Sequence, residues 1–376
     1  MKDKYNHIFI FEFDIQKYPP IISLIFFLLK KGESIIVFSQ CSDEKFLKFL
    51  EQKGVIFYNS INNNVSSNVL IKFFKLIKFR RFVNLEIKKY SNKRVWLFGQ
   101  TATWLFSKYS FLYETIVYLF EIPKFRIPFR YRLLSPNIDY NKFLNNATRV
   151  ICCEYNRAHI TKAYFNLEVL PMIIPNKPYL DSSLSLVKND YFEDLFEREL
   201  VNKKIILYQG IFNYPERKMD SLCDSLEYLP NDFVICLMGE DNDYKLKLKE
   251  KYKNDKRIFF LPYIKAPNHL LITKRAYIGY LSYNSEANNI SNSLNTLFCA
   301  PNKIFEYSKY SIPMLSNDIP ALKFLFDSFH SGLVSNNDSF SIAQAILDID
   351  ENYSDYSRGS DELFNSVDIE SLFLNI

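Results

Sequence analysis

Short apolar runs alternate with helix-period patterns along most of this chain, and that alternation restricts it to α/β layers built on parallel sheets. The first series opens with a strand over His7–Phe11, then an apolar helix over Ile21–Lys30 with Gly32 just past its end. A strand over Ser34–Phe38 and a helix over Glu44–Gln52 follow. Strands over Val55–Tyr58, Lys93–Phe98, Arg149–Cys153 and Val169–Ile174 complete the series. Pro, Asn and Ser gather in Pro175–Lys188, which reads as a linker. A second series places strands over Lys204–Tyr208, Phe233–Met238, Ile258–Leu261, Ala276–Leu281 and Pro313–Ser316. Ser360–Ile376 carries the apolar spacing of a last amphipathic helix. The expected architecture is two doubly wound, Rossmann-like domains facing a central cleft. They cover residues 1–178 and 201–352, with a linker region at 179–200. A helical tail at 353–376 is placed to pack back on the first domain.

A chain of 376 residues has room for two or three domains, and 48% hydrophobic with 24% charged residues is a globular balance. Met1-Lys-Asp-Lys-Tyr-Asn leads directly into the first strand, so no signal peptide is expected. The best apolar run, Ile21–Leu29, is far shorter than the ~20 residues of a spanning helix. The six cysteines form no C-x-x-C, which fits a reducing cytosol. The four histidines, His7, His159, His269 and His330, have no metal-ligand spacing. Neither a metal nor a cofactor is expected.

The segment Cys299-Ala-Pro-Asn-Lys-Ile-Phe-Glu-Tyr-Ser-Lys-Tyr-Ser-Ile-Pro-Met-Leu315 carries the most chemistry. Pro301 suits the first position of a helix, where its missing N–H costs nothing. Lys303 and Glu306 then share one helix face. A carboxylate in a first turn is favoured by the helix dipole and accepts two hydrogen bonds at once, as the vicinal hydroxyls of a ribose require. The plainer reading is a solvated Lys–Glu pair. Upstream, the strand Ile205–Tyr208 runs into Gln209-Gly210 and then Pro215-Glu-Arg217-Lys218. Pro215 fits a helix start, which puts Arg217 and Lys218 in a first turn. Cations there oppose the helix dipole by ~0.3–1 kcal/mol, a penalty that a bound anion reverses. No G-x-G-x-x-G is present to suggest a dinucleotide enzyme.

The P-N-K-I-F-E-Y stretch resembles the nucleotide-sugar motif of family 4 glycosyltransferases, retaining enzymes of GT-B architecture. That resemblance covers about Lys204 to Asp348. It implies that Glu306 holds the donor ribose, and that Gly210, Arg217 and Lys218 meet the donor diphosphate with Lys303 reaching the same phosphates. Leu237-Met-Gly239-Glu240 resembles the family's strand end at the cleft, where Gly239 lets the backbone come close. Ile258-Phe-Phe-Leu-Pro-Tyr263 resembles its strand beside the nucleobase, with Tyr263 placed to stack on the base. Ser316-Asn-Asp318 reads as a helix cap. The family's second glutamate, eight residues before the ribose-binding one, is Phe298 here. Glu286 and the asparagines of the loop Asn284–Thr296 are the alternatives for contacting the donor sugar.

The first half is less family-like. Glu121, in Tyr118-Leu-Phe-Glu121, sits where related enzymes keep an acidic or histidine residue near the acceptor. Arg157 is placed near the cleft by a similar comparison. Leu70–Arg94 holds nine Lys/Arg against Glu86 alone, interleaved with Phe73, Phe74, Phe79 and Phe82. Its local charge of +8 exceeds the +5 of the whole chain. A second basic–aromatic stretch runs from Lys124 to Arg132. Basic amphipathic segments with Phe favour an anionic membrane surface, and the family's frequent use of lipid-linked acceptors makes a peripheral membrane contact through 70–94 and 124–132 sensible. The plainer reading is a solvated basic face, and nucleic acid is not expected.

The expected function is therefore sugar transfer, with retention, from a UDP- or GDP-sugar to a saccharide or lipid-linked acceptor in surface polysaccharide assembly. Arg217 and Lys218 would stabilise charge on the leaving diphosphate without a metal, with Glu121 the candidate on the acceptor side. The expected location is the cytoplasm, at the inner face of the membrane. Two alternatives stay open: a nucleotide-sugar epimerase of the same architecture, and a non-catalytic protein of a membrane surface or nucleic acid.

Overall fold

The computed structural model describes residues 5–60, 69–135, 138–179, 190–285 and 289–376. Glu286 and residues 180–189 of the expected linker region lie outside them. The chain divides into two compact units. One comprises Met1–Pro175, Tyr179–Asp181 and Ile369–Ile376; the other comprises Asn176–Pro178 and Ser182–Asp368.

The first unit is built on a parallel sheet of β1 (Asn6–Asp14), β2 (Ser34–Gln40), β3 (Ile56–Asn59), β4 (Lys93–Phe98), β5 (Glu114–Leu119), β6 (Arg149–Cys152) and β7 (Met172–Ile173). Its order is β3-β2-β1-β4-β5-β6-β7. The order reverses at β1, the kind of position where open α/β sheets bind ligands. Strand side chains alternate between the two faces. Ile8, Ile10, Val95, Leu97 and Val117 go to one core. On the other face Phe9, Trp96, Phe98 and Tyr118 stack in an aromatic layer with ring centroids 4.9–6.2 Å apart. Aromatic residues make up 17% of this chain, and many of them are thus core. Trp96 Nε1 donates to His7 Nδ1 at 3.0 Å, satisfying both buried polar groups.

The second unit holds β8 (Lys204–Gln209), β9 (Phe233–Met238), β10 (Ile258–Leu261), β11 (Ile278–Leu281), β12 (Met314–Asn317) and β13 (Gly332–Ser335). All are parallel, in the order β10-β9-β8-β11-β12-β13. Ile205, Leu207, Val234 and Cys236 enter one core, whereas Ile206, Tyr208, Phe233 and Ile235 enter the other. A sheet buried on both faces needs near-continuous apolar strands, and β9, Phe-Val-Ile-Cys-Leu-Met, is one.

The end of the chain departs from the single helix expected over 360–376. Tyr353–Asn365 and Ile369–Leu374 are separate helices. The first packs in the second unit, where Ser360 Oγ donates to Ile312 O at 2.8 Å. The second belongs to the first unit, with Phe373 against Phe27 and Lys30 paired with Glu370 at 2.9 Å. The strands β5 and β13 were not expected from the sequence, and the helix Asn302–Ser308 carries Lys303 and Glu306.

Candidate active site

The site lies at the carboxyl ends of β8, β9 and β10, within the second unit. β8 ends at Gln209 and passes into Gly210, whose φ is +154°. The Gly210 N–H donates to Met238 O at 2.9 Å, so the ends of β8 and β9 remain side by side. A Cβ on Gly239 would overlap the Gly210 carbonyl oxygen and the Phe212 ring. A Cβ on Gly210 would come within 2.8 Å of Lys303 Cε and 2.9 Å of its Nζ. Backbone takes the space of a side chain at Gly239, and at Gly210 the positive φ favours glycine while the Lys303 ammonium crowds the site.

Pro301 is not the first helical residue but the N-cap, with extended backbone, and the helix starts at Asn302. Glu306 therefore sits beyond the first turn, and side chains rather than the helix dipole hold it. Gln209 Nε2 donates to Glu306 Oε2 at 2.7 Å, and His269 Nε2 lies 3.2 Å from Oε1. Thr273 Oγ1 donates to Gln209 Oε1 at 2.8 Å, fixing the amide's orientation. Glu306 is buried. Burial raises the carboxyl's pKa, but His269, Lys303 and Gln209 outweigh that and hold it below the ordinary carboxylate value. Each oxygen retains a lone pair for a ligand hydroxyl. The next residue anchors the helix: Tyr307 OH donates to Leu207 O at 2.8 Å, and its ring fills the space above Gly279.

Lys303 has no hydrogen-bond partner among the described residues. Burial pulls its pKa down, Glu306 opposes that, and Arg217 adds to the lowering. Arg217 lies over the Tyr283 ring, its guanidinium carbon 3.9 Å from the centroid. Tyr283 is itself clamped by Asn317, which accepts from Tyr283 N at 2.8 Å and donates to Tyr283 O at 2.6 Å. That use of Asn317 corrects the cap expectation: the following helix starts at Pro320 with no side-chain cap.

The helix expected from Pro215 is also corrected. Arg217 N donates to Asn213 O in a turn, and the helix runs Asp220–Asp224. Pro215 belongs to that turn, and the acid Asp220 rather than a cation opens the helix. Lys218 is exposed, with its ammonium over the Tyr214 ring at 5.6 Å. Tyr263 is exposed on the loop after β10, the loop that ends at His269. Glu121 is exposed in the first unit, two residues past β5. Arg157 is buried there, donating to Phe120 O at 2.5 Å and to Cys153 Sγ at 3.4 Å, so it ties the ends of β5 and β6 together. Among the described residues no three His, Cys, Asp or Glu side chains gather as a metal site.

Gly210, Gly239, Arg217, Lys303 and Glu306 are thus brought together. Sequence reasoning missed Gln209, Thr273 and His269. The only local signals were a glutamine beside the strand-end glycine and a histidine in the loop after β10.

No family model matches the chain, and no curated protein does. Solved structures do. Anabaena HepE in complex with UDP and glucose has a TM-score of 0.68 at 14% identity, over 99% of this chain and 98% of that one. WaaG, a glycosyltransferase involved in lipopolysaccharide biosynthesis, gives 0.63 at 12% identity, over 98% of both chains. A Listeria monocytogenes structure described as a UDP-N-acetylglucosamine 2-epimerase gives 0.62 at 11% identity, over 95% and 91%. The fold is GT-B. Its two Rossmann-like units match those of these structures, and in this chain the strand ends of the second unit carry the glycine–cation–carboxylate cluster.

Proposed function

We propose that this GT-B protein is a glycosyltransferase that takes a sugar from a nucleoside-diphosphate sugar, UDP- or GDP-linked, and passes it with retention to a saccharide or lipid-linked saccharide in surface polysaccharide assembly. The observation that carries the reading is the Lys303 ammonium, without a hydrogen-bond partner among the described residues, set against Gly210 and within electrostatic reach of Arg217. Their mutual repulsion is offset when an anion binds between them, and a diphosphate supplies one. Gly210 and Gly239 let the backbone approach the phosphates. Glu306, already held by Gln209 and His269, accepts from the ribose hydroxyls, and Tyr263 covers the base. As the sugar–phosphate bond breaks, negative charge grows on the leaving diphosphate, and Lys303 and Arg217 stabilise it in place without reorganisation. Lys218 adds positive potential nearby. Side-chain cations do this work in the proposal rather than a metal ion.

Calorimetric titration with UDP and with GDP tests the donor site. One nucleotide should bind saturably, and Glu306→Ala should weaken it about tenfold or more. Absence of binding by either at millimolar concentration would overturn the assignment. Product analysis with UDP-sugars and no acceptor separates the epimerase alternative, which converts the donor itself.

A membrane-surface contact belongs to the same proposal. The two basic–aromatic stretches form the helices Val69–Glu86 and Phe129–Leu134, joined by a hydrogen bond from Arg80 to Leu134 O. Ile71, Phe74, Phe82, Leu85, Phe129 and Leu133 are exposed among Lys72, Lys78, Arg81, Arg130 and Arg132. Apolar groups exposed between cations suit the headgroup region of anionic lipid. Cosedimentation should occur with anionic but not neutral vesicles and fall with salt. No helix among the described residues is long and apolar enough to cross a membrane.

A further inference from the structure

We infer that Lys245, which touches no ligand in the proposed mechanism, is a positioning residue that sets the spacing of the two walls of the donor site. Its side chain is fully buried. Its ammonium donates to Gly239 O at 2.6 Å and Leu261 O at 2.7 Å, and lies 2.9 Å from Asp241 Oδ1. Three acceptors saturate an ammonium, which is what a buried lysine requires.

The two carbonyls are not equivalent pieces of core. Gly239 is the first residue after β9, and its backbone is the surface against which Gly210 packs. Gly210 in turn bears the end of Lys303. Leu261 is the last residue of β10, where the loop begins that carries Tyr263 and ends at His269, the partner of Glu306. One ammonium therefore holds the start of the phosphate wall and the start of the nucleoside wall together. β9 and β10 pair up to Met238 and Leu261, where both strands end. Lys245 bridges them where the ladder stops. Phe212, whose ring lies 5.4 Å from the same ammonium, closes the cluster on the Gly210 side. A misplacement of about 1 Å in such walls is enough to cost function.

The inference rests on the donor-site reading, and the test separates the two. Nucleotide affinity and thermal stability are measured for the wild type, Lys245→Met, Asp241→Asn and Ile346→Ala. Ile346, on the helix Ser339–Glu351, is fully buried and is none of the residues that Lys245 contacts, so its truncation supplies a matched loss of stability. Lys245→Met is expected to weaken UDP or GDP binding about tenfold or more at a temperature where it stays folded. Ile346→Ala should keep wild-type affinity. Asp241 is exposed enough for its substitution to leave the fold intact. Removing its charge loosens the ammonium, so Asp241→Asn should weaken binding by a smaller factor, about threefold. Wild-type affinity in both Lys245→Met and Asp241→Asn would overturn the positioning role. So would equal losses in Lys245→Met and Ile346→Ala, which mark general destabilisation. If Lys245→Met does not fold, Asp241→Asn decides alone. A wild type that binds neither nucleotide overturns the donor site instead.

Discussion

His269 Nε2 lies 3.2 Å from Glu306 Oε1, and the pair places an ionised carboxylate where burial alone would favour a neutral acid. A carboxyl whose folded pKa is depressed adds stability above its unfolded value and loses it as pH falls through the folded value. Glu306 is thus ionised throughout the neutral range. Removing His269 takes away the largest opposing influence and leaves burial to raise the pKa. His269→Ala should therefore bind nucleotide worse at pH 7 and lose affinity further between pH 7 and 5. The wild type should hold its affinity over that interval. Calorimetry across pH checks this, and parallel profiles for the two proteins would refute it.

Gly210→Ala and Gly239→Ala should damage the site in different ways. At Gly210 the new methyl meets the flexible end of Lys303 and the backbone is in a region that alanine avoids. More than about 1 kcal/mol of stability should be lost, together with nucleotide affinity, because Lys303 must move. At Gly239 the methyl meets backbone, which cannot rotate away. Overpacking of that kind costs about 1–3 kcal/mol or more, so Gly239→Ala should have the lower melting temperature of the two. Thermal denaturation of both variants gives the order.

Most of the fold was legible because burial on both faces forces long apolar runs. β9 was read with its true bounds, Phe233–Met238. β5 and β13 were not read. Glu114-Thr-Ile-Val-Tyr-Leu lies in a stretch so rich in aromatics that its edges are hidden, and Gly332-Leu-Val-Ser is short and half polar. In the site, Lys303 and Glu306 were legible from spacing on one helix. Gln209 is 97 residues from Glu306, and such a partnership has no local trace. Arg217 was found for a reason that fails, since Pro215 shapes a turn and not a helix start. What places Arg217 is the Tyr283 ring, which only the sheet brings near.

The last helix, Ile369–Leu374, should stabilise the first unit although it is remote from it in sequence. Phe373 is buried against Phe27 of the helix Pro19–Lys30. Phe373→Ala should cost about 3 kcal/mol, whereas the exposed Lys30–Glu370 pair should contribute little. Hydrogen exchange should rise in Pro19–Lys30 and stay unchanged in β8 and β9. Equal loosening of both units would show that the segment acts on the whole chain.

Glu12 supplies a stability change with the opposite sign to that of Glu306. Its carboxyl is buried near the end of β1, and neither oxygen has a hydrogen-bond partner among the described residues. Burial pushes its pKa up to about 8, against smaller lowering effects that include Thr101 and Arg130. A raised folded pKa gives stability that is complete below the unfolded value and is lost as pH rises through the folded one. The window therefore runs from the ordinary carboxylate value of 4.5 up to about 8. Within it the wild type should lose up to about 1.4 kcal/mol per pH unit relative to a neutral side chain of the same shape. Glu12→Gln should leave the melting temperature unchanged at pH 4 and raise it at pH 8. Melting curves of the two proteins at both pH values measure the difference, and a Glu12→Gln gain of equal size at pH 4 would assign it to packing instead of charge.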